Sequence, residues 1–187
     1  MTQASTSTTR TVSGREIAAL LHPRPVYLVT TCDAAGRSNV STIAWITPLS
    51  HEPHLVGMSL KPDSRTRAFI AETGEFVINV AGAHSRLEVE RCGNVSGWRT
   101  DKLAEGGLRI EPARCVRPPR LRDALAWLEC EVVEHSQVGD HILFVARVLT
   151  ADAGDRSPGE SHLAYEASVL QCSAHDRFGR YVGEPGR

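Results

Sequence analysis

About seven short runs of β-branched and apolar residues, set apart by turn-forming stretches, constrain the fold more than any other feature of this sequence. They cover residues 26–31, 40–47, 55–60, 76–80, 108–111, 126–134 and 142–150, and each has strand-like composition and length. The first two are joined across a turn at residues 33–36, and a Pro-containing turn at 51–54 precedes the third. The last two are separated by Gly139-Asp140. Helical signals are few. Ser13-x-x-Glu16 reads as a capping box ahead of Ile17, Leu20 and Leu21, and His22-Pro23 stops that helix. A second helix opens near Asp63 or Ser64, carries Ala68, Phe69 and Ile70, and ends at Gly74, which suits a left-handed cap. The stretch 83–107 is helical around 87–92 and 100–105 and is interrupted by Gly93 and Gly97. Many strands with few helices point to a mainly β fold, a barrel or sandwich, rather than alternating βαβ units. Residues 1–12, rich in Ser and Thr, read as a flexible tail, and 13–187 as one domain.

Charge and composition exclude several functional classes. The formal net charge is -1 and the basic residues run from Arg10 to Arg187 without clustering, so no footprint for nucleic acid is present. The five cysteines, Cys32, Cys92, Cys115, Cys130 and Cys172, form no C-x-x-C pair, which argues against a disulfide framework or a zinc site. With no apolar run near the ~20 residues of a spanning helix, the expected address is the cytoplasm, away from membrane. No G-x-S-x-G, H-E-x-x-H, Walker or G-x-G-x-x-G motif occurs. His51-x-x-His54 has ligand-like spacing but contains Pro53 and falls in a turn, so a solvent-facing turn outweighs a metal site and no metal is expected.

The residues that remain suggest an anion site. Ser59, Lys61, Ser64, Arg65 and Thr66 bring hydroxyls and cations to a helix start, where backbone N–H groups also point outward, which suits a monophosphate. Asp63 in the same stretch favours a plain helix cap, and the residues alone leave both readings open. Asn39-Val40-Ser41-Thr42 places donors and acceptors at a strand start, fit for a heterocycle's edge or for ordinary strand structure. Trp45 is either a stacking partner or core. Cys92 has no local cation and reads as an inert buried thiol. His141, after Gly139-Asp140, reads as a satisfied histidine at a barrel rim.

Taken in order, these segments resemble the flavin reductase-like family, most closely its flavoredoxin-type members. The resemblance spans 25–152 and rests on Ser38-Asn39-Val40-Ser41-Thr42-Ile43-Ala44-Trp45, Thr47-Pro48-Leu49-Ser50 with Pro53, Ser64-Arg65-Thr66, and Gly74-Glu75-Phe76-Val77-Ile78-Asn79-Val80. Cys92-Gly93, Ser96-Gly97, Asp101-Lys102 and Gly139-Asp140-His141 complete it. It implies an FMN-binding split β-barrel, usually a homodimer with FMN near the subunit interface. By position, Asn39 and Trp45 lie beside the flavin, with Val40, Ser41, Thr42, Thr47, Pro48 and Leu49 along the ring system. Ser59, Lys61, Ser64, Arg65, Thr66 and Lys102 then hold the ribityl phosphate, and His141 sits near flavin and nicotinamide as a positioning or electrostatic residue. The stretch 161–187 matches poorly, so an aromatic near the flavin is Tyr165, Phe178 or neither. The implied activity is an NAD(P)H-dependent flavin reductase, using NADH or NADPH and serving a partner such as a monooxygenase. The alternatives are an FMN-binding electron carrier and a flavin-less interaction barrel.

Overall fold

The computed structural model describes residues 9–154, 162–166 and 169–173. A short helix α1 (Arg15–Ala19) precedes strands β1 (Arg24–Pro25), β2 (Tyr27–Cys32), β3 (Ser38–Ile43), β4 (Ile46–His51) and β5 (His54–Leu60). Helix α2 (Arg65–Thr73), strand β6 (Glu75–Val80) and helices α3 (Arg86–Asn94) and α4 (Lys102–Gly106) follow. Next come β7 (Ile110–Glu111), β8 (Arg120–Leu121), the long hairpin of β9 (Ala126–Val138) and β10 (His141–Ala153), and finally β11 (His162–Glu166) and β12 (Val169–Ser173). Seven strands form one antiparallel sheet in the order β3-β2-β6-β9-β10-β5-β4, while β1-β11-β12 and β7-β8 form small separate sheets.

The connection from β3 to β4 forces this sheet to bend. The two are its opposite edges, yet only Ala44 and Trp45 separate them in sequence. Laid flat, seven strands would place their edges about 29 Å apart at ~4.8 Å per spacing. Two linking residues reach only about 11 Å. The sheet therefore curls until its edges approach at that end, and the chain steps from one to the other without a ladder between them. This step corrects the single strand expected over 40–47, which is two strands. The expected strand at 108–111 is reduced to β7, outside the main sheet, where it pairs with β8.

Two apolar clusters lie on the two sides of the sheet. Leu28, Val40, Val89, Cys92 and Leu103 join β2 and β3 to α3 and α4. Val29, Met58, Ile70, Phe76, Ile78 and Phe144 join the other side to α2. Strands β2 and β6 are buried on both faces, which explains their nearly continuous apolar sequences. Helix α2 has the bounds its caps dictate: Ser64 accepts a hydrogen bond from Arg67 N, and Gly74 adopts the left-handed φ of 69° that a Cβ would strain.

At α1 the capping box does not form. Gly14 takes the N-cap position, and the Glu16 carboxylate pairs with Arg10 at 2.9 Å instead of folding back on the helix. Ile17, Leu20 and Leu21 are exposed. The β9–β10 hairpin runs beyond the expected 126–134 and 142–150 because backbone pairing continues through the polar residues to Val138 and His141. Among the described residues no helix is long and apolar enough to cross a membrane.

Candidate functional site

Two groups of polar side chains gather, one along β3 and one just past its end, and each draws on distant parts of the chain. The first is a hydrogen-bonded relay. Asn39 Nδ2 donates to Thr66 Oγ1 at 3.1 Å, Thr66 Oγ1 donates to Ser41 Oγ at 2.8 Å, and Lys102 Nζ donates to Ser41 Oγ at 3.1 Å. Lys102 Nζ also donates to the Cys92 carbonyl at 3.1 Å. Ser41 Oγ accepts two bonds, so its own proton is left to donate elsewhere, as is the third N–H of Lys102. Beside them Arg65 donates from one terminal nitrogen to the Gly97 carbonyl, lies over the Phe69 ring at 4.7 Å, and keeps a buried Nε without a partner. The Ser41 hydroxyl, the third N–H of Lys102 and Arg65 Nε are thus donors without a further partner among the described residues.

The electrostatics match. Lys102 is 4% exposed and forms no ion pair with a carboxylate among the described residues. Burial pushes its ammonium pKa below the usual lysine value; the neighbouring Cys92 thiol opposes the shift and the Arg65 charge adds to it. Lys102 and Arg65 are close enough to act on each other electrostatically, and neither is paired with a carboxylate among the described residues, an arrangement chemically suited to an anion. Burial also raises the Cys92 thiol, with Lys102 opposing it only in part, which keeps that thiol protonated.

The elements that hold the relay are tightly fitted. Thr42 Oγ1 donates to the Val89 carbonyl at 2.6 Å, tying β3 to α3. Asp101 caps α4 through Leu103 N and Ala104 N, which sets the direction of Lys102. A Cβ at Gly97 would collide with Asn39 Oδ1 and press on Arg65 Cδ at 3.3 Å. Gly97→Ala is therefore expected to displace Asn39, to cost about 1–3 kcal/mol of stability by overpacking, and to weaken ligand binding at the relay. Urea denaturation with parallel ligand titration measures both.

The second group lies at the β3–β4 step. The rings of Trp45 and His141 stack with centroids 4.8 Å apart at 23°. Arg24 places its guanidinium 5.6 Å from the Trp45 ring. His141 Nδ1 is 2.8 Å from Asp140 Oδ1. The bond and charge of His141, with a smaller contribution from Lys61, hold the Asp140 carboxyl below its ordinary value. Ser59 N donates to the Trp45 carbonyl at 3.0 Å, which fixes the step against β5.

The structure thus brings Asn39, Ser41, Arg65, Thr66 and Lys102 together, and separately Trp45, Ser59, Lys61 and His141. Lys61 faces Asp140 instead of joining Lys102. The Ser64 hydroxyl is already committed, accepting from Arg67 N and donating to the Lys61 carbonyl at 3.0 Å. Val40 has its side chain wholly buried in the core, so only its backbone remains for a ligand. Thr47, Pro48 and Leu49 lie exposed on the edge strand β4. Sequence reasoning missed Arg24, which no local pattern marks, and Trp98, whose ring lies 5.9 Å from the Arg65 guanidinium. Tyr165 pairs in backbone register with Arg24, its side chain being outside the description, and Phe178 lies outside the described residues. His51 and His54 sit exposed around the β4–β5 turn, and no cluster of three metal-ligating side chains occurs among the described residues.

A family model described as a flavin reductase like domain matches residues 19–171. A protein of Pyrococcus abyssi is 37% identical over 130 residues, which is 70% of this chain and 74% of that protein. A Streptomyces pristinaespiralis protein named NADH:riboflavin 5'-phosphate oxidoreductase is 29% identical over 70% of this chain and 72% of its own. Among solved structures, flavoredoxin from Methanosarcina acetivorans has the same fold, with a TM-score of 0.79 at 21% identity over 96% of both chains.

Proposed function

The chain belongs to the flavin reductase like domain family, and from that premise we propose that it binds FMN in a split β-barrel and accepts electrons from NADH or NADPH. The split is the β3–β4 step, where the curled sheet leaves its two edges unpaired. The observation that carries the reading is the buried Lys102 and the half-buried Arg65, neither paired with a carboxylate among the described residues, with the Ser41 hydroxyl between donors. This donor set fits a phosphate monoester, whose oxygens only accept.

FMN, when bound, supplies the two-electron chemistry that the side chains lack. The protein's part is to bind and orient. Lys102, Arg65 and Ser41 grip the phosphate, with Thr66 and Asn39 fixing Ser41 behind them. The outer edge of β3 has no strand partner among the described residues, so its backbone is available to the edge of the ring system from Asn39 to Thr42. Trp45 and His141 border the reacting end. His141, held by Asp140, orients a nicotinamide there and does not serve as an obligatory acid. A homodimer, with a monooxygenase component receiving the electrons or the reduced flavin, completes the proposed arrangement.

The test is anaerobic addition of NADH or NADPH to the FMN-loaded chain. Bleaching of the visible flavin absorbance by either nucleotide is the expected result. Binding of FMN with reduction by neither would leave the electron-carrier role, and no uptake of FMN at all would leave an interaction barrel.

A further inference from the structure

Trp98 stands at the outer end of the proposed phosphate grip and has no part in the core. Its side chain is 59% exposed, yet it is held in place. The indole Nε1 donates to the Asp63 carbonyl at 2.9 Å, and the Arg65 guanidinium approaches the ring to 5.9 Å. The ring rides on a turn closed by Arg99 N donating to the Ser96 carbonyl at 3.1 Å, and Gly97 of that turn is packed against Asn39 and Arg65. An isolated exposed apolar side chain is ordinary. An exposed indole with its polar edge bound and its ring steadied by a cation is already oriented for a planar group, with little rotamer freedom left to lose.

Its position gives that planar group an identity. Arg65 belongs to the proposed grip and its guanidinium also lies 5.9 Å from the indole, so a ligand that continues past the first phosphate along Arg65 reaches Trp98. Arg99, exposed, ends the same turn and offers a further cation at that mouth. A ligand that carries a flavin, then a second phosphate, then a purine would use all three features.

We propose that the flavin site extends past the monophosphate to Trp98, which stacks on the adenine of FAD, so that the chain binds FAD more tightly than FMN. This rests on the flavin reading above. Base-on-aromatic stacking contributes enough to shift affinity about tenfold.

The experiment titrates the flavin-free full-length protein with FMN and with FAD by calorimetry, for the natural chain, Trp98→Ala and Trp98→Phe. FAD is expected to bind about tenfold more tightly than FMN. Trp98→Ala should bring FAD to within about twofold of FMN while changing FMN itself no more than about twofold, and Trp98→Phe should retain most of the FAD preference. Size-exclusion elution of Trp98→Ala should match the natural chain. FMN binding without any FAD advantage would overturn this inference alone, as would equal losses of both flavins in Trp98→Ala. A smaller assembly for that variant would overturn it too, by assigning the indole to a subunit contact. Failure to bind either flavin would overturn the flavin reading and this inference with it.

Discussion

If Lys102 grips the phosphate as proposed, Lys102→Met should weaken FMN about 10- to 100-fold and leave riboflavin unchanged, because a charge-assisted hydrogen bond to phosphate contributes roughly 1.5–3 kcal/mol and riboflavin has no phosphate. The same substitution stabilises the flavin-free protein. The buried ammonium has Ser41 and the Cys92 carbonyl as neutral acceptors but no carboxylate among the described residues, so the folded state bears a desolvation cost that a methionine of similar length removes. The pH dependence has a definite sign. Burial lowers the folded pKa of Lys102 below its ordinary value near 10.5, so between the two values the unfolded chain binds more protons and stability rises with pH. Thermal unfolding across the alkaline range should show that rise in the flavin-free natural protein and a flatter profile in Lys102→Met. Equal loss of FMN and riboflavin would mean that Lys102 does not meet the phosphate.

Glu129→Ala destabilises the chain by about 3–5 kcal/mol, the usual cost of removing one partner of a buried pair. Glu129 is wholly buried in β9. It accepts from Arg114 N at 2.9 Å, from Cys115 N at 2.6 Å and from Arg120 Nε at 2.6 Å. Arg120 is itself 4% exposed and turns its remaining contact to Asp152 at 2.6 Å. Removing the carboxylate leaves two inward N–H groups and half of a buried guanidinium unpaired. Burial alone would raise the Glu129 carboxyl, but the two backbone N–H groups and Arg120 outweigh it and hold it below the usual carboxylate range. Its stabilisation is therefore complete above the ordinary glutamate value near 4.5 and is lost as pH falls through the lower folded value. Urea midpoints from neutral to acid pH should fall in the natural chain and fall less steeply in Glu129→Ala. An unchanged midpoint at neutral pH would show that the loop from Arg114 to Arg120 is held by something else.

What the sequence revealed and what it hid follow the distance over which each feature is determined. Helix α2 was legible at both ends because Ser64 and Gly74 act within one turn of themselves. Gly139-Asp140 marked its hairpin for the same reason. The step at Ala44-Trp45 was hidden inside an apolar run, since it is imposed by closure of a sheet whose other edge is built by β5 and β4. The relay was hidden too: Thr66 and Lys102 reach β3 from 27 and 61 residues away in sequence. Residue chemistry alone left phosphate cradle and helix cap open at Ser64–Thr66, and the structure shows the cap. Ser64 is the cap, whereas Arg65 and Thr66 belong to the group around Lys102. Nothing local marked Arg120 and Glu129 as partners, or Arg24 as a neighbour of Trp45, because those pairings exist only once the strands are in register.

The donor group of Ser41, Arg65 and Lys102 is proposed as a phosphate grip for a flavin mononucleotide. Titration of the flavin-free protein with FMN and with riboflavin, followed by visible absorbance, tests it most directly. The expected result is saturable FMN binding with a perturbed flavin spectrum, and riboflavin at least about tenfold weaker, in line with the loss of one charge-assisted contact. FMN that leaves the spectrum unperturbed, or riboflavin that binds as tightly as FMN, would contradict it.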